Sequence, residues 1–164
     1  MQLTELVEKA VNSIDLNSEP LGSGADGIIY PVNEKVVLKL HFQGKIPLFK
    51  VTKDSDRRSA EKEFNIGQDL YQQGIQVPLF FGLFEPKKSP LNYWGILMER
   101  IHGVEYKYLP GKLKREAKSQ FNTQSKLIRQ LGYWQGDSYH DVNTLFDPHN
   151  LKLYLFDFVR WEKN

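Results

Sequence analysis

Cysteine is absent from the 164 residues, which excludes disulfides, thiolate metal sites and a cysteine nucleophile. An excess of either charge is missing too. The 22 basic residues stand against 20 acidic ones, a net +2, too little to argue for nucleic acid or a membrane surface as a partner. No apolar run approaches the length that crosses a bilayer, so no membrane insertion is expected. The opening Met1-Gln-Leu-Thr-Glu-Leu6 lacks the basic and apolar regions of a cleaved signal. A cytoplasmic protein fits these absences. What is present is ordinary for one packed domain: 40% apolar and 26% charged residues, with 13% aromatic.

Periodicity divides the chain into elements. Leu3, Leu6, Val7, Ala10, Val11 and Ile14 recur at helical spacing and predict an amphipathic helix over 3–15. Gly22-Ser23-Gly24-Ala25-Asp26-Gly27 reads as a turn between strands, followed by a hairpin through Ile28–Tyr30 and Val36–Phe42. A second helix is predicted over about 56–73, with Ala60, Phe64, Gly67 and Tyr71 as its stripe and Gly74 as its C-cap. Apolar strands follow at 77–84 and 93–98. Leu113, Ala117, Phe121, Ile128 and Leu131 predict a long helix over about 111–132. Lys112, Lys114 and Arg115 fall within it and read as a solvated face. Gly132–Gly136 breaks that helix, and two short strands, 144–146 and 151–156, flank the turn Asp147–Asn150. No internal repeat or low-complexity segment appears.

A glycine turn and several polar residues stand out against this framework. The Gly22-x-Gly24-x-x-Gly27 pattern lacks the helix that a dinucleotide fingerprint requires after it. Within a hairpin it suits the other use of such glycines, in which backbone N–H groups lie over phosphates. Lys39 interrupts the apolar strand Val36–Leu40, where a charge needs a reason. Alternation puts it on one face with Val37 and His41, opposite Val36, Leu38, Leu40 and Phe42. A lysine so placed needs a carboxylate. Glu63 shares a helix stripe with Ala60, Gly67 and Leu70, whereas Glu61 reads as solvated. Asp137, His140, Asp141 and Asn143 cluster between two apolar elements, and Asp157 ends a strand. An Asp that accepts a hydroxyl proton, with an Asn and an Asp on a metal, would complete a phosphoryl-transfer site. The bland alternative for 137–147 is an Asp- and Asn-rich turn.

In this order and spacing the residues resemble the protein-kinase-like superfamily over nearly all of 20–160. The segment Ile96-Leu-Met-Glu-Arg-Ile-His-Gly103 is similar to the linker of atypical and small-molecule kinases. The resemblance implies an α+β, bilobal fold. Residues 1–98 would form an N-lobe with an antiparallel five-stranded sheet and the N-terminal helix, 99–103 a hinge, and 104–164 a much reduced helical C-lobe. It implies ATP and Mg2+ as cofactors, or Mn2+. Gly22, Ser23, Gly24, Gly27 and Lys39 would meet the phosphates, Glu63 would pair with Lys39, and backbone groups of Glu99 and Ile101 would hold the adenine. Asp137 would be the catalytic base, with Asn143 and Asp157 as metal ligands.

The departures from the family pattern define the alternatives. Gln135-Gly136-Asp137 replaces His-Arg-Asp, and Asp137 and Asn143 are one residue further apart than the family norm. Asp141 is therefore the alternative base, as Glu61 is the alternative partner of Lys39. Val159 takes the place of glycine in Asp-Phe-Gly. The chain ends seven residues after Asp157, which leads to the expectation of a minimal kinase without an activation segment. In economy it is similar to short kinase effectors that bacteria deliver into host cells. A Ser/Thr protein kinase acting on a protein substrate is the leading expectation. A small-molecule kinase of the aminoglycoside or choline type would need a larger helical lobe as acceptor site. A pseudokinase would bind nucleotide without transfer. Oligomeric state is left open by the sequence.

Overall fold

The computed structural model describes residue 14 and residues 18–24, 27–41, 53–84, 94–136 and 141–163. The helix expected over 3–15 falls outside them, Ile14 apart, as do Ala25, Asp26, Asp137 and His140. The chain divides into two compact units, Met1–Phe64 with Phe80–Arg100, and Asn65–Leu79 with Ile101–Asn164.

The first unit is built on an antiparallel sheet of five strands: β1 (Gly22–Ser23), β2 (Gly27–Pro31), β3 (Val36–His41), β4 (Phe80–Phe84) and β5 (Gly95–Glu99). Their order, β1-β2-β3-β5-β4, puts β3 in the middle. Asn33 turns the chain between β2 and β3, its Oδ1 accepting from the backbone N–H groups of Lys35 at 2.8 Å and Val36 at 2.9 Å. On one face of β3, Val36, Leu38 and Leu40 join Tyr30 and Leu97 in an apolar cluster that Ile14 and Phe84 flank. Each such side chain contributes roughly 1.5–3 kcal/mol when buried. The opposite face carries Lys39 and His41, and both are buried as well.

Helix α1 (Lys53–Gln72) contributes residues to both units. Its buried positions are Ala60, Glu63, Ile66, Gly67 and Leu70, whereas Tyr71 is 48% exposed. The buried stripe drifts toward residues 63 and 70, so Tyr71 is left at its edge in the last turn. The helix stops as its sequence predicts. Gly74 takes φ +79°, its N–H donates to Tyr71 and the Ile75 N–H to Leu70, which satisfies the last carbonyls. The strand expected from Val77 begins only at Phe80, because Pro78 has no N–H to give a ladder.

The second unit holds helix α2 (Gly111–Gln130), with Ala117, Phe121, Ser125 and Ile128 buried at helical spacing. Around it lie β6 (Val104–Glu105), β7 (Tyr133–Trp134), β8 (Thr144–Asp147), β9 (Lys152–Leu155) and β10 (Glu162–Lys163). The strands form a three-stranded sheet, β6-β8-β9, and a separate β7-β10 pair. Two glutamines of α2 serve strand β9 in place of a further strand. Gln120 accepts from the Leu153 N–H at 2.9 Å and donates to the Leu151 carbonyl at 2.8 Å. Gln124 donates to the Leu153 carbonyl and accepts from the Gln76 N–H, both at 3.0 Å. Backbone groups that an edge strand would leave open are thus paired. The β8–β9 hairpin is thereby fixed to the helix, and its open end carries Asn143 and Asp157. Among the described residues no helix is long and apolar enough to cross a membrane.

Candidate functional site

The first group of functional candidates is an ion pair inside the first unit. Lys39 is 5% exposed and Glu63 1%. The Lys39 ammonium donates to both carboxylate oxygens, at 2.9 and 2.8 Å. His41, two positions along the same face of β3, places Nε2 at 2.6 Å from Glu63 Oε2. Burial alone would push the Glu63 carboxyl up. The Lys39 charge, followed by the hydrogen bond and charge of His41, outweighs it and holds the carboxyl at about 2, below its ordinary 4.5. Glu61, the other candidate, faces outward and pairs with Arg57 at 2.7 Å on the same helix. Of the two glutamates, the structure brings only Glu63 to Lys39.

The glycine turn lies against this pair. A side-chain carbon on Gly27 would stand 2.5 Å from the Leu40 carbonyl oxygen and 3.4 Å from Lys39 Cε. No larger residue fits so close to β3. Gly22 and Gly24 differ: a Cβ on either would meet no described residue within 4 Å. Packing among the described residues does not require glycine there, whereas an approaching phosphate would. The Gly24 N–H donates to the Gly27 carbonyl at 2.9 Å and closes the turn. Ser23, between the two open glycines, is exposed. At the far end of the sheet the Arg100 N–H donates to the Lys35 carbonyl at 2.9 Å. Because alternate residues of an antiparallel strand direct their backbone groups to opposite sides, those of Glu99 point away from β3. Ile101 begins the next stretch of the second unit, half-buried.

The second group of candidates belongs to the second unit. The Phe156 N–H donates to the Asn143 carbonyl at 3.1 Å, one step beyond the last ladder pair, Thr144 with Leu155. Asn143 and Asp157 therefore sit at one end of one hairpin, and both are half-buried. Both also take left-handed backbone angles, φ +57° and +65°, which Asn and Asp tolerate better than other side chains do. An amide oxygen and a carboxylate are hard donors that suit Mg2+, which holds waters and phosphate oxygens in its remaining positions. Among the described residues no cluster of three or more His, Asp or Glu forms a metal cage. The donor set of Asn143 and Asp157 fits a metal brought with a nucleotide.

Asp137, the expected base, lies outside the described residues, and its alternative, Asp141, is exposed. Gly136, the residue before Asp137, lies within the described residues. Gly136 has φ +59°, and a Cβ there would stand 2.6 Å from the Arg160 carbonyl oxygen. The segment after Asp157 therefore closes directly on the loop that leads to Asp137. Phe158 and Trp161, both fully buried, pack edge to face at 4.8 Å. Beyond them β10 pairs with β7, Glu162 opposite Trp134 and Lys163 opposite Tyr133. Lys163 reaches Asp69 at 2.7 Å, and the Tyr133 hydroxyl donates to the same carboxylate. These two bonds, that of Lys163 first, hold the Asp69 carboxyl below its usual range.

Sequence reasoning left two features without a role. His41 shares the Lys39 face by alternation, but its contact with Glu63 depends on where helix α1 crosses the sheet. The β7–β10 pairing joins two-residue strands far apart in the chain, too short for any periodic signal.

No protein-family model and no curated protein sequence matches the chain. Among solved structures it is similar to the crystal structure of the Rio2 kinase from Chaetomium thermophilum, an ADP/Mg2+-phosphoaspartate complex. The two are 19% identical with a TM-score of 0.64, and the match covers 98% of this chain and 52% of the other. The chain thus spans about half the length of that protein. The resemblance to bacterial effector kinases finds no counterpart in this comparison. The likeness shows a protein-kinase-like fold, α+β with an antiparallel five-stranded sheet.

Proposed function

We propose that this chain is an ATP- and Mg2+-dependent phosphotransferase that acts on Ser or Thr hydroxyls of a protein. The observation that carries the proposal is the buried Lys39–Glu63 pair beneath Gly27. A buried ion pair is a costly way to stabilise a sheet, so its presence asks for a use. A lysine held by a carboxylate and aimed at phosphate oxygens supplies one. In this reading Gly22, Ser23 and Gly24 cover the phosphates, and backbone groups of Glu99 and Ile101 hold the adenine. Asn143 and Asp157 hold the metal, which when bound neutralises charge on the phosphates. Asp137 takes the proton of the acceptor hydroxyl as its oxygen attacks the terminal phosphorus and ADP leaves. The absence of cysteine suits a reducing compartment, the cytosol of the producing cell or of a host cell.

The test is transfer of the terminal phosphate from labelled ATP, with Mg2+ or Mn2+, to a lysate and to the protein itself. Asp157→Ala is the control, and its transfer is expected to fall by about three powers of ten. The solved neighbour holds a phosphoaspartate, so hydroxylamine treatment is included. Label that hydroxylamine removes is on a carboxylate, and label that survives it is on a hydroxyl. Nucleotide binding without label would leave a small-molecule acceptor or a pseudokinase. Unchanged transfer in both Lys39→Ala and Asp157→Ala would overturn the site.

A further inference from the structure

His41 is the buried titratable group to which the proposed chemistry gives no part. It is fully buried, its Nε2 lies 2.6 Å from Glu63 Oε2, and its Nδ1 has no hydrogen-bond partner among the described residues. The two ring nitrogens therefore have different tasks. A carboxylate accepts only, so Nε2 must carry the hydrogen that it shares with Glu63. In the neutral ring Nδ1 is then a lone pair facing no donor, and that cost persists only where the Nε2 bond offsets it.

Lys39 and His41 thus anchor Glu63 in different ways. Lys39 bridges both carboxylate oxygens through a long side chain with four rotatable bonds. His41 holds Oε2 alone, from a ring fixed within the central strand. If Lys39 turns part of its hydrogen bonding toward phosphate oxygens, the carboxylate loses donors at that moment. A second donor on β3 that does not move keeps the carboxylate where the lysine needs it.

We propose that His41 is a positioning residue: it fixes Glu63 through an Nε2–H donor, so that Lys39 remains aimed while it serves a second, anionic ligand. This rests on the phosphotransferase reading for the identity of that ligand. The arrangement of the three side chains is independent of it.

The experiment compares the full chain with His41→Leu, which removes the donor at similar volume, and with His41→Gln, whose amide nitrogen can take the place of Nε2. Two quantities are read. One is the rate at which an amine-acylating reagent modifies Lys39, followed by peptide mass spectrometry. The other is the split between KM for ATP and kcat. In His41→Leu, acylation of Lys39 should rise and KM should rise, each by about tenfold, the scale of one hydrogen bond to a charged group. His41→Gln should recover most of both. Wild-type rates for both quantities in His41→Leu would overturn the proposal, and so would failure of Gln to recover what Leu loses. If the wild-type chain neither binds ATP nor transfers phosphate, the functional reading fails and the acylation rates still decide the role of His41. Should His41→Leu not fold, ring 15N shifts of the wild-type protein decide it. A hydrogen on Nε2 supports the proposal, and one on Nδ1 alone overturns it.

Discussion

Two regions carry the candidate chemistry, and they are held in place by different physics. In the first unit Lys39, Glu63 and His41 are buried, and side chains hold side chains across a sheet and a helix. In the second unit Asn143 and Asp157 are half-buried, and it is the backbone that is fixed, in left-handed turns at the end of a hairpin. The first arrangement is costly to dismantle, because loss of Lys39 or of Glu63 leaves the other's charge behind in a low dielectric. The second stores modest backbone strain, so its members are costly to keep. Stability and function should therefore be coupled in the first region and separable in the second.

The largest expected effect tests the first half of that contrast. Lys39→Met leaves Glu63 buried without its cation and should destabilise the chain by roughly 3–5 kcal/mol. Replacing both, Lys39→Met with Glu63→Leu, should recover most of the loss, because the desolvation cost of the pair disappears with it. Transfer of phosphate should stay absent in both. Urea unfolding of the three proteins measures this. A Lys39→Met variant as stable as wild type would show that the pair is not desolvated, and the contrast would collapse.

The same pair makes a pH prediction. The folded-state pKa of Glu63 is depressed from 4.5 to about 2. Its contribution is therefore complete above about pH 4.5 and is lost as the pH falls from there toward 2. The double variant lacks this group. Its stability relative to wild type should therefore improve as the medium is acidified through that window. Parallel pH profiles for the two would show that Glu63 carries no depressed pKa.

Gly136→Ala probes the junction between the loop before Asp137 and the segment after Asp157. The new methyl group would take a left-handed backbone and meet a carbonyl oxygen 2.6 Å away. Each is a cost on the scale of 1 kcal/mol, so about 1–3 kcal/mol is expected together. Loss of transfer should exceed what the fall in stability explains, because Asp137, the proposed base, is the next residue in the chain.

How far the sequence showed these regions follows from the same distinction. Lys39 was visible because a charge in Val36–Leu40 breaks an apolar strand, and Glu63 because it falls on the 60-63-67-70 stripe. Both signals come from periodicity, and burial enforces periodicity. The strands at 28–30, 36–42, 77–84 and 93–98 were legible for that reason, whereas a sheet of five was what the resemblance to the kinase-like superfamily implied. The left-handed backbone of Asp157 was hidden, since the residues place Asp157 at the end of a strand and carry no sign of its backbone angle. The start of β4 at Phe80 was misplaced by three residues, although Pro78 carried the warning. The β7–β10 pairing and the glutamine ladder of α2 depend on contacts between distant segments. Single polar residues such as Gln120 and Gln124 give no pattern from which those contacts could be read.

Asn143→Gly carries the smallest expected effect on stability and the sharpest test of the second half of the contrast. At φ +57° glycine is freed from the steric cost that a side chain meets there, which favours the variant by up to about 1 kcal/mol. The greater freedom of glycine in the unfolded chain opposes this by roughly 0.5–1 kcal/mol. The two nearly cancel, so the melting temperature should stay within about 3 °C of wild type. The amide oxygen proposed for the metal is gone, however, and transfer at a fixed Mg2+ concentration should fall by at least about tenfold. A higher metal concentration should recover part of it, as expected when affinity for the metal is what was lost. A clear drop in melting temperature would mean that the Asn143 side chain holds the hairpin together. The second region would then obey the same rule as the first.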